Sequence, residues 1–210
     1  MMKSCGVKFR TLVLATHNPH KAAEMEELLR SPDLLIYNLG RFDHLPEIKE
    51  KGRSFYENAL QKALTVSYKT GLVAVADDSG LEVDYLGGRP GVYSARYAGD
   101  NADDEANNLR LMEEMVGVPR PQRKAAFICC MVAASPAGRV VSAKGECRGW
   151  ILDKPLGRHG FGYDPLFYSP ELACTFAQVP PPVKNLISHR ARALQKLKRL
   201  LYSTNKLWSP

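Results

Sequence analysis

Two short apolar runs, Thr11-Leu12-Val13-Leu14-Ala15-Thr16 and Leu72-Val73-Ala74-Val75-Ala76, each give way at once to a polar segment. Their β-branched content and brevity read as buried strands. After the first run, Asn18-Pro19 forms a turn into a helix, with Pro19 suited to the first helical position. Ala22, Met25, Leu28 and Leu29 then mark an apolar helix face to about Arg30. A strand, a short loop and a helix make an arrangement whose loop amides and helix start favour an anion. After the second run, Asp77-Asp78-Ser79-Gly80 reads as a turn at the strand's C-terminal end, where ligands of open α/β sheets gather.

The remaining chain continues the α/β pattern. Ser54-Phe55-Tyr56-Glu57 matches a capping box, followed by inward Ala59, Leu60, Ala63, Leu64 and Val66 and an end near Gly71. Leu86 to Gly91 is a Gly/Pro-rich loop, and a helix is predicted from about Asp103 to Met115. Ala125–Ala133 and Arg139–Cys147 read as an antiparallel strand pair joined at Ser135-Pro136-Ala137-Gly138. The last helix is predicted over Ile187–Leu201, with Ala191, Leu194, Leu197 and Leu201 inward. Pro180-Pro181-Pro182 reads as a rigid connector. At 210 residues the chain suffices for one domain or two closely joined lobes.

Hydrophobic content of 45% and charged content of 24% are those of a soluble globular protein, and no apolar run approaches bilayer-spanning length. Met1–Arg10 has no apolar h-region, so no signal peptide is read and a cytoplasmic location is expected. The five cysteines, Cys5, Cys129, Cys130, Cys147 and Cys174, show no zinc spacing and read as reduced thiols. Cys129 and Cys130, neighbours on a strand, point to opposite faces. The net charge of +7 is localised: after Glu171 there is no acidic residue but there are seven basic ones, Lys184, Arg190, Arg192, Lys196, Lys198, Arg199 and Lys206. A phosphate-bearing partner is one reading of that tail; for Lys196, Lys198, Arg199 and Lys206 a solvated helix face is preferred.

Phe161-Gly162-Tyr163-Asp164, with Lys184 and Ser188-His189-Arg190, combines aromatics, a carboxylate and basic groups, a mix suited to a flat base beside a phosphate chain. Thr16-His17-Asn18-Pro19-His20-Lys21 lacks the P-loop glycines, and read alone it is an ordinary strand-to-helix turn. Thr16 and Asn18 can still donate hydrogen bonds, with Lys21 pointing back over the loop. Asp77 and Asp78 face opposite ways in extended backbone, so one serves a site and the other the fold. Mg²⁺ on a nucleotide needs only one or two carboxylates besides phosphate oxygens and waters. Glu50 is a candidate second ligand, whereas Glu57 is explained by capping Ser54. His17, His20, His44 and His159 form no metal spacing. His189-Arg190 open the basic final helix, where amides and cationic side chains favour phosphate or a base carbonyl.

On these residues the chain resembles the Ham1, or inosine/xanthosine triphosphate pyrophosphatase, family, nearly end to end from Leu12 to Leu197. The anchors are Ala15-Thr16-x-Asn18-x-x-Lys21, Phe55-x-Glu57-Asn58-Ala59-x-x-Lys62-Ala63 and Ala76 to Leu81. They continue with Gly87-Gly88-x-Pro90-Gly91-x-x-Ser94-Ala95-Arg96, Gly160 to Pro165 and Lys184 to Arg190. The resemblance implies a mixed, elongated α/β sheet flanked by helices, one domain over 1–210 in two lobes with the nucleotide between them, and a homodimer. It implies Mg²⁺-dependent hydrolysis of ITP, dITP or XTP to the monophosphate and pyrophosphate. By motif, Asp78 matches the proton acceptor and, with Glu50, the metal positions. Thr16, His17, Asn18, Pro19, His20, Lys21, Ser79, Phe161, Gly162, Tyr163, Asp164, Lys184, His189 and Arg190 match substrate contacts. His17 and His159 stand where glycine is common, and Pro180-Pro181-Pro182-Val183 replaces a more acidic stretch. A nucleic-acid-binding module is disfavoured, since the tail lacks interleaved aromatics and no RRM, KH or helix-turn-helix signature is present. A pyrophosphatase for other damaged nucleotides and a non-hydrolysing nucleotide sensor are the other rivals.

Overall fold

The structure, a computed structural model, describes residues 10–42, 45, 48, 50–203, 207 and 208; Cys5, His44 and Lys206 lie outside them. In chain order the elements are β1 (Arg10–Leu14), α1 (Pro19–Leu29), β2 (Leu34–Asn38), α2 (Phe55–Thr70), β3 (Val73–Val83) and α3 (Asp104–Glu114). There follow β4 (Lys124–Ala134), β5 (Val140–Ile151), β6 (Phe167–Ser169), β7 (Cys174–Thr175), α4 (Pro181–Ile187) and α5 (His189–Ser203). The seven strands form one mixed sheet in the order β2-β1-β3-β4-β5-β6-β7. β2, β1 and β3 run parallel, and every pairing from β3 to β7 is antiparallel.

Strand alternation sorts the core onto two faces. Leu12, Leu14, Val73 and Val75 pack with Met25 and Leu29 of α1 and with Leu194, Leu197 and Leu201 of α5. Val13, Ala15, Ala74 and Ala76 pack on the other face with Ala59, Ala63 and Val66 of α2. Further along the first face, Leu81 and Val83 join Phe127, Phe167, Phe176 and Leu111 in another cluster. The helix faces expected of α1, α2 and α5 are therefore the buried ones.

Asp77-Asp78-Ser79-Gly80 is not a turn. It lies inside β3, paired with Met131 to Ile128 of β4. The apolar run ends there, but the strand continues because the backbone ladder to β4 continues. β1 pairs with β3 only as far as Leu14 opposite Val75, so beyond that point one edge of β3 faces loops instead of a strand. Gly80 permits a close approach of those loops: a Cβ there would sit 2.4 Å from both Gly91 O and Ser94 Oγ.

Three further expectations are corrected. Pro181 and Pro182 open α4 instead of forming a connector; proline is tolerated there because first-turn N–H groups have no intrahelical acceptor. The final helix consequently starts at His189, with the Ser188 hydroxyl accepting from Ala191 N at 3.1 Å. The Ser54 cap is only half of a capping box. Ser54 Oγ accepts from Glu57 N, but Glu57 Oε2 accepts from Arg53 N, one residue earlier than that motif requires. Cys129, Cys130, Cys147 and Cys174 are free thiols, with Cys129 buried and Cys130 half-buried.

Candidate active site

The β1–α1 loop is held by its own side chains. Asn18 Oδ1 accepts from His20 N at 2.9 Å and Lys21 N at 3.1 Å, and Thr16 Oγ1 accepts from Asn18 N at 3.2 Å. Pro19 has no N–H. The amides of Asn18, His20 and Lys21 are thus engaged within the loop. Among its side chains the loop offers a ligand the Thr16 hydroxyl hydrogen, the Asn18 Nδ2 and the Lys21 ammonium.

Alternation along β3 then separates the two aspartates. Asp77 follows Val73 and Val75 onto the α1/α5 face, where it is fully buried. Its Oδ2 lies 3.1 Å from Lys21 Nζ and 3.2 Å from a nitrogen of Arg190. Arg190 also pairs with Glu24, and Lys184 Nζ lies 3.2 Å from Glu24 and 2.6 Å from Asp164. Three cations and three carboxylates therefore alternate through one buried network. Burial opposes ionisation of Asp77, yet Lys21, Arg190 and Lys62 hold its carboxyl far below the usual aspartate range. Glu24 is likewise lowered: burial opposes this, but Arg190 and Lys184 outweigh it.

Asp78 follows Ala74 and Ala76 onto the α2 face. Asn58 Nδ2 donates to its Oδ2 at 2.9 Å, and Lys62 Nζ lies 4.0 Å from Oδ1. The same ammonium is 2.5 Å from Glu50 Oε1. Two carboxylates thus share one cation. Burial, with the like charge of Glu50, pushes Asp78 up to about 6 despite Lys62 and Lys21. A pair of hard oxygen donors short of one positive charge suits a divalent cation such as Mg²⁺, which takes its other ligands from phosphate and water.

The Phe161–Asp164 turn supplies the opposite wall. Gly160 and Gly162 have φ of 77° and 60°. A Cβ at Gly160 would meet Asp164 Oδ2 at 2.0 Å, so glycine is required there. Asp164 Oδ2 accepts from Phe161 N at 3.0 Å and takes the Lys184 ammonium, which fixes the turn. Asp104 and Asn108 of α3 hold Gly162 through its N–H and its carbonyl.

Several site residues are placed differently from expectation. Tyr163 lines the cleft but is buried, and its hydroxyl donates to Ser94 O at 2.9 Å. His189 and Arg190 are the first residues of α5 and are buried there. Burial, reinforced by Arg190 and Lys184, lowers His189 well below the usual histidine range, so it is a neutral imidazole and not a cation. It stacks on Phe127 with centroids 4.7 Å apart, and its buried Nδ1 has no partner among the described residues. Lys184 and Arg190 already hold carboxylates, and Ser79 Oγ accepts from Arg190 at 3.0 Å. The tail is dispersed in the same way: Arg192 pairs with Glu171, and Lys196 and Lys198 donate to Lys144 O and Leu28 O.

Sequence reading gave no role to Asn58, Lys62 or Glu24. A signal was present. Asn58 and Lys62 are polar residues four apart on the apolar stripe of α2, and both are buried. Glu24 sits beside Met25 on the buried face of α1. A buried lysine or glutamate requires a partner, and these find theirs across the sheet.

A cleft of about 310 Å³ joins these parts, lined by Lys21, Glu50, Lys62, Asp78, Phe161, Lys184, His189 and Arg190 together with Thr16, His17 and Asn18. The Ham1 family model matches residues 12–200. The chain belongs to the Ham1 family. It is 49% identical over 190 residues to the dITP/XTP pyrophosphatase of Desulforamulus reducens, covering 90% of this chain and 94% of that one. It is 50% identical over 187 residues to the dITP/XTP pyrophosphatase of Geobacter sulfurreducens, covering 89% and 94%. Among solved structures, a HAM1 protein from Coxiella burnetii superposes with a TM-score of 0.85 at 39% identity, covering 93% of this chain and all of that one. The mixed sheet with flanking helices is therefore the architecture of this family.

Proposed function

We propose that this Ham1 family member hydrolyses dITP, ITP and XTP to the monophosphate and pyrophosphate, removing deaminated purines from the nucleotide pool. The observation that carries the reading is the meeting, in one cleft, of an underneutralised carboxylate pair, the β1–α1 loop with its lysine, a half-buried aromatic ring and a neutral histidine. The names of relatives nearly 50% identical along most of the chain support the same reaction.

In this reading Thr16, Asn18, Lys21 and Lys62 position the triphosphate. Asp78 orients the attacking water toward the α-phosphorus and accepts its proton. Asp78 and Glu50 are the residues that hold Mg²⁺, which supplies charge neutralisation for the leaving pyrophosphate. Lys184 and Arg190 act by bracing the walls of the cleft, since their charge is already matched within it.

Phe161 receives a face of the base, and His189 meets its O6 edge. A donor there accepts hypoxanthine or xanthine and is unpaired against the amino group of adenine, a mismatch that hydrogen-bonding sites reject strongly. One domain, a homodimer and a cytoplasmic location complete the proposal, the last in keeping with the lack of any described helix able to cross a membrane.

The test is a panel of NTPs and dNTPs with Mg²⁺, scored for pyrophosphate against orthophosphate. Pyrophosphate from dITP, ITP or XTP, with a much lower kcat/KM for ATP, is expected. Equal specificity constants, orthophosphate as the product, or preference for a damaged pyrimidine would sink the proposal.

A further inference from the structure

His20 is expected, as part of the β1–α1 loop, to face phosphates. Its ring does something else. It stacks on Phe161 with centroids 5.3 Å apart and planes 15° from parallel. Phe161 lines the cleft, whereas His20 does not, so the imidazole backs the phenyl ring from outside.

The two rings differ in how firmly they are held. His20 is in the first turn of α1, its N–H fixed on Asn18 Oδ1. Phe161 has a fixed N–H, on Asp164, but its side chain is only half-buried and lies between two glycines in the left-handed region. Glycines contribute no side chain to restrain it. Lys184 Nζ is 4.6 Å from the ring centroid and Arg190 Cζ is 5.6 Å, so cations also touch the ring. A phenyl ring meant to receive a base gains by having its plane set before binding, because ordering a side chain on binding costs affinity.

We propose that His20 is a positioning residue for the purine: it sets the plane of Phe161 and ties the base platform to the loop that holds the triphosphate. The inference rests on the proposed triphosphate reading. It separates two loop histidines that the sequence leaves equivalent. His17 lines the cleft; His20 acts through another ring.

The test is steady-state pyrophosphate release from dITP and XTP with Mg²⁺, with inorganic tripolyphosphate as a competitive inhibitor. His20→Ala is expected to raise KM about two- to tenfold, the range of one aromatic pair, with kcat within about twofold. Tripolyphosphate inhibition is expected to stay unchanged. His20→Phe is expected to restore KM and His20→Lys is not, because the ring and not the charge is required. In a Phe161→Leu background, His20→Ala is expected to add nothing. Since His20 is exposed, these variants should fold, and thermal melting checks that. Unchanged KM in His20→Ala, rescue by lysine, weakened tripolyphosphate inhibition, or additive losses in the double variant would each overturn this inference alone. A wild-type protein that releases no pyrophosphate would overturn it together with the function on which it rests.

Discussion

Asp77 and Asp78 are adjacent in the chain, yet the sheet puts them into opposite electrostatic situations. On the α1/α5 side, Asp77, Glu24 and Asp164 are balanced by Lys21, Arg190 and Lys184: Asp77 lies 3.1 Å from Lys21 and 3.2 Å from Arg190, and Lys184 lies 3.2 Å from Glu24 and 2.6 Å from Asp164. On the α2 side, Lys62 is the one ion-pair partner of Asp78 and Glu50 among the described residues. One side is a closed network that joins α1, β3, α4 and α5. The other is one positive charge short and opens into the cleft. The difference teaches that charge count, more than residue type, separates the part that holds the fold from the part prepared for a ligand.

The largest test of that contrast is Asp78→Asn. Turnover should fall about 10²- to 10⁴-fold, the span of general acid–base catalysis, while the protein stays folded. Turnover within tenfold of wild type would remove Asp78 from the chemistry. Asp77→Ala should do the reverse, acting first on stability. Breaking a buried ion network by removing one partner costs about 3–5 kcal/mol, to be read from the urea midpoint. A midpoint unchanged by this substitution would show that the network is not what holds these elements together.

The two aspartates should also respond to pH with opposite signs. In metal-free protein, Asp78 is raised from an unfolded value of about 3.9 to about 6, so the folded state binds its proton more tightly. Its penalty therefore grows as pH rises from about 4 to 6 and levels off above that, on the order of 3 kcal/mol. Asp78→Asn should accordingly stabilise the protein at pH 7 to 8 and have no such advantage near pH 4. Asp77 and Glu24, both lowered, contribute stability above the ordinary carboxylate range that is lost as pH falls below about 4. A constant Asp78→Asn advantage across pH would break the contrast.

The smallest expected effect belongs to Asn58, which accepts from Gly52 N at 2.7 Å and donates to Asp78. Asn58→Ala should cost about 1–3 kcal/mol of stability and lower kcat more than it changes KM, because it frees the Asp78 carboxylate. A pure KM effect would argue that Asn58 touches substrate instead.

Much of this was legible in the sequence. The apolar runs marked β1 and the start of β3, and the periodicities of α1, α2 and α5 identified the faces that pack. Alternation correctly required Asp77 and Asp78 to diverge. What failed was the reading of Asp77–Gly80 as a turn. Local composition there is that of a loop, and only the ladder to β4, some fifty residues later, keeps it extended. The burial of His189 and Arg190 was not legible for a related reason: burial and ion partners are set by elements distant in the chain.

The sequence alone determined the α/β order, the core faces and the set of chemically capable residues, because periodicity and side-chain chemistry are local properties. Tertiary structure decided which carboxylate is balanced, which lysine is shared, which histidine is neutral and which ring His20 supports. Those are properties of distance and desolvation, and they come into being only when β3 is laid between α2 on one side and α1 with α5 on the other.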